Sequence, residues 1–195
     1  MPDITPSATV GPYFAYGLTP KDYDWSETFS NNLVTPDAAG ERTAISGSVL
    51  DGDGLPVPDA MVEIWQADAA GRYADRGDDG PPSNSAFKGF GRCGTDAAGQ
   101  FSFETIKPGA VPGPEGAVQA PHILVAVFAR GMLRQIFTRI YFSDEAANVT
   151  DPVLSMVPAD RQATLIAKRE DGNGRAGYRF DIHLQGEDET VFFDL

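Results

Sequence analysis

The apolar residues of this chain come in short runs, and glycine and proline, 21 and 15 of its 195 residues, separate these runs at close intervals. Short runs that alternate, or that are rich in β-branched side chains, indicate strands. Strands are therefore predicted over residues 44–50, 60–67, 101–104, 123–128, 136–142, 178–184 and 190–193. The run 123–128 is almost continuously apolar, which is typical of a central strand buried on both faces, with 136–142 as its partner.

Helical periodicity is confined to residues 158–169, which begin with proline, carry apolar residues at helical spacing and end with basic residues. Residues 71–94 and 107–121 are rich in glycine and proline and are predicted to be loops. Many short strands with one short helix in the C-terminal half indicate a mainly β fold, a β-sandwich with long loops. Strands and helices do not alternate, which argues against a nucleotide-binding parallel sheet.

The first 42 residues differ from the rest, because five prolines punctuate them and no apolar period persists. We expect an extended N-terminal arm over residues 1–42 and a sandwich domain over residues 43–195. An arm of this length in a compact protein usually wraps a surface or a partner.

The charge balance limits the partners of such a chain. With 15 basic and 28 acidic residues, its formal net charge is −13, which argues against nucleic acid and against an anionic membrane surface. No apolar run approaches the ~18 residues of a membrane-spanning helix, and the first residues lack the features of a signal peptide. Cys93 is the only cysteine, which excludes an internal disulfide and is typical of a reducing cytoplasm.

Several motifs carry a resemblance that extends over nearly the whole chain. The longest is GSVLDGDGLPVPDAMVEIWQAD at 47–68, which AAGRY follows at 69–73. The others are TPSATVGPY at 5–13, TIKPG at 105–109, APHI at 120–123, YRFDI at 178–182 and FFDL at 192–195. On these motifs the chain resembles the intradiol ring-cleavage dioxygenases. This resemblance implies a transthyretin-like β-sandwich.

The resemblance also implies an iron chemistry that this chain supports only in part. Catalytic members hold ferric iron through two tyrosines and two histidines, and the histidines form a His-x-His pair on one strand face. Tyr73 and His122 match two of these positions, but the other two fall on Val111 and Leu124, whose side chains have no donor atom. We therefore expect no metal in this chain. Tyr73 and His122 are either remnants with ordinary hydrogen bonds or parts of a rebuilt weak site completed by aspartate or water.

The resemblance implies a partner as well. In this family a noncatalytic alpha chain pairs with a homologous beta chain that carries the Fe(III), in an αβ hetero-oligomer of several units. Alpha completes the substrate site, and the residues matched by motif are Thr9, Gly11, Pro12, Tyr13 and Arg130. A guanidinium can hold a benzoate carboxylate through charge-assisted hydrogen bonds. Arg134 and Arg139 are alternatives to Arg130 for this contact.

The reaction implied by the resemblance is the O2-dependent cleavage of protocatechuate between its hydroxylated carbons, which gives 3-carboxy-cis,cis-muconate. The part of this chain would be to position the substrate. Two other functions stay open: an autonomous iron dioxygenase with altered ligands, and a noncatalytic binding or structural module that shares only the fold.

Overall fold

The computed structural model describes residues 17–26, 29–74, 87–170 and 176–194. Within these ranges the strands are β1 (Arg42–Leu50), β2 (Met61–Gln66), β3 (Phe90–Gly94), β4 (Gln100–Ile106), β5 (Val111–Pro112), β6 (Val118–Gln119), β7 (His122–Phe128), β8 (Ile136–Phe142), β9 (Ile166–Arg169), β10 (Ala176–Arg179) and β11 (Ile182–His183). Short 3-10 helices lie at Pro20–Tyr23, Pro114–Gly116, Ala146–Thr150, Leu154–Met156 and Gln162–Leu165. No helix in the described part of the chain is long and apolar enough to span a bilayer. The mainly β prediction is confirmed.

Nine strands form one continuous sheet that folds into two layers. One layer holds β4, β1, β10 and β11, and the other holds β8, β7, β2 and β3. Strand β9 belongs to both, because Ile166 and Ala167 pair with β8 while Lys168 and Arg169 pair with β10. The main apolar core draws fully buried side chains from both layers, so the two layers face each other as in a sandwich.

A segment of the predicted arm closes the gap between the last strands of the two layers. The backbone N–H of Leu33 donates to the Glu104 carbonyl of β4 over 2.9 Å, and the N–H of Arg92 in β3 donates to the Ser30 carbonyl over 3.2 Å. The Leu33 side chain is completely buried in the main core. Residues 30–34 therefore pack as part of the body of this chain.

The strands predicted over 44–50, 60–67, 101–104, 123–128 and 136–142 are confirmed as β1, β2, β4, β7 and β8. Strand β7 is central, because it pairs with both β2 and β8. Its inward residues Ile123, Val125 and Val127 are completely buried, whereas Leu124 and Phe128 on the other face are only partly buried. The expectation of complete burial on both faces is thus met on one face only.

The helix predicted over 158–169 is wrong. This segment forms the 3-10 helix Gln162–Leu165 and then strand β9. Helix propensity is a weak bias that tertiary structure readily overrides. Here the β-branched Ile166 also favours extended backbone, and pairing with β8 and β10 supplies the backbone hydrogen bonds of β9.

Four smaller differences follow from pairing that local sequence does not reveal. The predicted loop 71–94 ends in β3, and the predicted loop 107–121 contains the β5–β6 pair. The strand predicted over 178–184 is divided into β10 and β11, which both pair with β1. The strand predicted over 190–193 is reduced to a single bridge between Phe193 and Phe137.

Candidate functional site

Strands β3, β2, β7 and β8 turn one face to the core and the other outward, and cross-strand neighbours on the outward face form two rows. The first row is Phe90, Trp65, Leu124 and Arg139, and the second is Arg92, Glu63, Ala126 and Phe137. Opposed side chains on one sheet face stand about 5 Å apart, so each row is a continuous surface. His122 and Leu124, two of the sequence-predicted positions, are successive outward residues of β7.

His122 begins β7 and is 6% exposed. Its Nδ1 lies 2.7 Å from the carbonyl oxygen of Ala120. Because a carbonyl only accepts hydrogen bonds, Nδ1 carries the proton and Nε2 is the acceptor of the ring. Burial lowers the pKa of His122, and the bond to the Ala120 carbonyl offsets only part of this shift. The imidazole is therefore neutral near pH 7.

Tyr141 and Asp151 form the buried support beside His122. The Tyr141 hydroxyl donates to Asp151 Oδ1 over 2.9 Å, and the two rings of His122 and Tyr141 lie 5.9 Å apart. Burial raises the pKa of Tyr141, and the nearby Arg139 only partly opposes this effect. The phenol therefore stays protonated and acts as a hydrogen-bond donor to the carboxylate.

Arg139 lies beside this support without a carboxylate of its own. Its Nη1 donates to Gln119 Oε1 over 2.8 Å and lies 3.4 Å from the Tyr141 hydroxyl oxygen. Neither acceptor carries a charge. Among residues 17–26, 29–74, 87–170 and 176–194, Arg139 forms no ion pair, so its guanidinium is not neutralised by direct contact.

Tyr73 ends a tight turn that Asp68 organises. The Asp68 carboxylate accepts from the backbone N–H groups of Ala70 and Arg72 at 2.8 and 3.0 Å and pairs with the Arg72 guanidinium at 2.9 Å. Burial alone raises the pKa of Asp68, but these hydrogen bonds outweigh it and leave the pKa below its ordinary value. The turn places the Tyr73 ring 5.1 Å from the ring of Trp65, one of the two inner residues of the first row.

Two glycines let this turn approach the segment that leads to Val111. A Cβ added to Gly71, which has a φ of +74°, would lie 1.9 Å from the Ala110 carbonyl oxygen. A Cβ added to Gly109 would lie 2.6 Å from the Ala69 carbonyl oxygen. Only glycine permits contacts this short, and Gly71 also needs the left-handed backbone that glycine adopts without strain. The fold thus holds Tyr73 and Val111 on facing segments.

The four ligand positions do not supply a ferric site. Val111 is 3% exposed and Leu124 is partly buried, and both are aliphatic. Tyr73 and His122 supply only two of the four donors, the Tyr73 hydroxyl and Nε2 of His122, whose Nδ1 bonds the Ala120 carbonyl. No group of three or more His, Cys, Asp or Glu side chains in the described ranges is arranged to hold a metal ion. The donor set does not fit an ion that needs four protein ligands.

Arg130 follows the opposite end of β7. The strand between His122 and Phe128 rises roughly 20 Å, so Arg130 does not reach the His122 end of its own chain. Its guanidinium pairs with Asp59 over 3.1 Å, and the two side chains are 74% and 52% exposed. Arg134 pairs with Asp194 over 3.8 Å and is equally exposed. The predicted arm residues Thr9, Gly11, Pro12 and Tyr13 lie outside the described residues.

Sequence reasoning missed the aromatic wall of the outward face and the Tyr141–Asp151 support. Alternation along the predicted strand 60–67 already puts Glu63 and Trp65 on one face. It does not tell which face is outward or that Phe90 and Leu124 flank Trp65. Strand order and register carry that information.

Comparison with known proteins places this geometry among dioxygenases. A profile of the protein family described as "Dioxygenase" matches residues 9–186. The chain is 52% identical to the protocatechuate 3,4-dioxygenase alpha chain of Burkholderia cepacia, over 98% of this chain and 97% of that one. It is 37% identical to the protocatechuate 3,4-dioxygenase beta chain of the same organism, over 91% of this chain and 77% of that one.

A solved structure supports the same fold. The dioxygenase domain of a dioxygenase carbohydrate-binding protein fusion from Streptomyces sp. SirexAA-E superposes with a TM-score of 0.62 at 26% sequence identity. The match covers 94% of this chain and 99% of that domain. The two chains therefore share one β-sandwich architecture over almost their whole lengths.

Proposed function

This chain belongs to the intradiol ring-cleavage dioxygenase family, and on that premise we propose that it is the alpha subunit of a protocatechuate 3,4-dioxygenase. Its task is to complete a site whose metal is held by a homologous beta chain. The observation that carries this proposal is the pair of aliphatic side chains, Val111 and Leu124, at two of the four ligand positions. A chain with this donor set contributes to iron chemistry only through a partner.

We propose that the beta chain binds the Fe(III) and that this chain binds none. Similarity to both an alpha and a beta chain supports a pair of related subunits. Related subunits commonly pair about a pseudo-twofold axis, and several such αβ units would build the complete enzyme. When bound, the ferric ion supplies activation of the catechol for its reaction with O2.

Arg130 is the residue proposed to hold the substrate carboxylate. Its present partner, Asp59, is an exposed carboxylate, and exposed ion pairs contribute little free energy. Exchange of Asp59 for a substrate carboxylate in a drier interface is therefore favourable. The distance of Arg130 from His122 along β7 supports a role in a site other than the remnant site of its own chain.

The arm over residues 1–42 is proposed to form another wall of the same site, through Thr9, Gly11, Pro12 and Tyr13. Glycine allows close backbone approach and proline fixes a bend, which suits a wall around a small planar substrate. Leu33 and the backbone bonds of residues 30–34 tie the end of this arm to the body of the chain. Thr9 lies within the part of the chain that the family profile matches.

The reaction of the pair is the cleavage of protocatechuate between its two hydroxylated carbons, with both atoms of O2 entering 3-carboxy-cis,cis-muconate. This chain contributes orientation, because it fixes the carboxylate and limits how the ring can lie. We also propose a cytoplasmic location, which the single cysteine supports.

The decisive experiment compares the chain expressed alone with the chain expressed together with its beta partner. Iron measured by metal analysis and product measured by absorbance should appear only with the pair. Stoichiometric iron and ring cleavage in the lone chain would establish an autonomous dioxygenase instead. A chain that forms no complex with any related chain, and adds nothing to turnover, would be a binding or structural module.

A further inference from the structure

The outward face of β2, β3, β7 and β8 holds an apolar pocket. Its volume is about 250 Å³. Trp65, Phe90 and Phe137 form the walls, and Leu124 and Ala126 form the floor. Trp65 is 45% exposed, an unusual position for a side chain whose burial contributes so much to stability.

Of the charged side chains around this pocket, Glu63 and Arg92 neutralise each other, whereas Arg139 contacts only uncharged groups in the described part of the chain. Glu63 lines it, but the Arg92 guanidinium bonds Glu63 Oε1 through Nε at 2.7 Å and through Nη2 at 2.5 Å. This pair is neutral as a unit. Arg139 is the direct cross-strand neighbour of Leu124, and its contacts in the described part of the chain are the uncharged Gln119 and Tyr141. The first row therefore ends in a cation that no carboxylate of the described segments contacts directly.

Register fixes how far this cation lies from the apolar pocket. Leu124 stands between Trp65 and Arg139 in one row, and neighbours in such a row are about 5 Å apart. A single aromatic ring that lies on Leu124 thus has indole on one side and guanidinium on the other. Nη1 of Arg139 is engaged by Gln119, so Nε and Nη2 are the donors left for an added acceptor.

From this arrangement we infer that the pocket binds a small aromatic carboxylate, without any metal. The ring rests on Leu124 between the aromatic walls, and the carboxylate bonds the guanidinium of Arg139. Ligand sites are mostly apolar with a few polar groups that fix orientation, which is the composition found here. A planar guanidinium favours a planar carboxylate over a spherical anion, because it offers paired N–H donors.

This inference does not rest on the proposed function, because it concerns a pocket of this chain alone. Arg130, which carries the proposed contact with the substrate of the pair, lies at the other end of β7. The two assignments therefore fail independently: loss of the Arg139 contact is measured by binding to this chain, and loss of the Arg130 contact by turnover of the pair.

The test uses the full chain with Trp25→Phe, which leaves Trp65 as its one tryptophan. Benzoate is titrated against tryptophan fluorescence, with benzamide as the matched planar ligand that has no charge. We expect saturable quenching by benzoate and an affinity for benzamide that is about tenfold or more weaker. Arg139→Gln should weaken benzoate by a similar factor and leave benzamide unchanged.

Two further variants distinguish a specific contact with Arg139 from a general effect of positive charge, and test whether binding needs the space of the pocket. Arg134→Gln removes an exposed arginine elsewhere on the chain and should leave benzoate binding unchanged. Ala126→Phe fills the floor of the pocket on the outward face and should abolish the binding of both ligands. Circular dichroism reports folding of each variant, and the comparison of benzoate with benzamide on the parent chain needs no variant at position 139.

Several results would overturn the inference. Equal affinities for benzoate and benzamide, or unchanged benzoate affinity in Arg139→Gln or Ala126→Phe, would remove the site. Addition of the purified beta chain is the remaining arm of the experiment. If it changes Trp65 fluorescence and blocks benzoate, the face is a protein interface and the pocket has no small ligand.

Discussion

The Tyr141 hydroxyl donates a 2.9 Å hydrogen bond to the carboxylate of Asp151, and both residues are completely buried. The same carboxylate accepts from the backbone N–H groups of Ala120, Val153 and Leu154 at 2.7–2.9 Å. The Asp151 carboxylate thus joins β8, the segment between β6 and β7, and the 3-10 helix Leu154–Met156. This arrangement fixes the floor beneath His122.

Asp151→Ala should destabilise the fold by about 3–5 kcal/mol, because it leaves several buried donors without an acceptor. Chemical denaturation followed by circular dichroism measures this loss. Asp160→Ala, which alters an exposed acid a few residues away, is the control and should change stability by less than about 0.5 kcal/mol. Equal stabilities of the two variants would show that the Asp151 bonds contribute no net free energy.

Gly71→Ala should cost much more than Gly54→Ala, although both glycines have a φ of +74°. A Cβ at Gly54 meets nothing within 4 Å, so that variant isolates the cost of left-handed backbone, roughly 1–2 kcal/mol. A Cβ at Gly71 also strikes the Ala110 carbonyl, so the turn that carries Tyr73 must move. The difference between the two unfolding free energies measures the close approach, and a difference of zero would contradict it.

The loss of folding stability at low pH should depend in part on Asp144. Its carboxylate accepts from Lys107 Nζ at 3.2 Å, from Arg169 Nη1 at 2.6 Å and from the Tyr178 hydroxyl at 3.0 Å. Burial alone raises the pKa of Asp144, but these donors outweigh it and leave the pKa below the ordinary 3.8. A carboxyl with a depressed folded pKa adds stability above its unfolded pKa, and this contribution is lost as pH falls through the folded pKa.

Asp144→Asn should therefore lower the free energy of unfolding by about 1–2 kcal/mol at neutral pH. The gap between variant and parent should narrow as pH falls below 3.8. Denaturation series at several pH values measure both. Asp37→Asn, at an exposed acid, should run parallel to the parent, and a gap that persists unchanged into strong acid would refute the linkage.

In the assembled enzyme, Arg130→Gln should raise KM for protocatechuate about tenfold or more, because a charge-assisted contact with the carboxylate is lost. Turnover of catechol, which has no carboxylate, should change little. Arg134→Gln tests the alternative arginine, which is equally exposed and also paired with an exposed acid, and a rise in KM for protocatechuate there instead of in Arg130→Gln would move the contact to Arg134. Equal losses on both substrates would exclude Arg130 from carboxylate binding.

The sequence predicted the two-layer β fold from short alternating apolar runs, and the central strand from the continuous apolar run 123–128, because both patterns are local signals. The family resemblance is confirmed, since the dioxygenase profile spans residues 9–186. The prediction of a helix over 158–169 was wrong because pairing with β8 and β10 stabilises the end of this segment as strand β9. The spacing of apolar residues within one segment does not indicate which distant segment it pairs with.

The candidate site shows the same division. Residue type alone decides whether a side chain has an atom that can bind a metal. The sequence therefore predicted donor atoms at Tyr73 and His122. It also predicted that Val111 and Leu124 have none. The unneutralised guanidinium of Arg139 was not predictable. Its contacts are Tyr141 of the same strand, β8, and Gln119 of β6, which only the tertiary fold brings next to it.

The segment at residues 30–34 has a consequence for how this chain behaves in solution. Its backbone bonds reach Glu104 of β4 on one side and Arg92 of β3 on the other. Unpaired strand edges are templates on which copies of a protein add to each other and form fibrils. By occupying both edges while Leu33 anchors it, this short segment protects the chain against edge-to-edge aggregation.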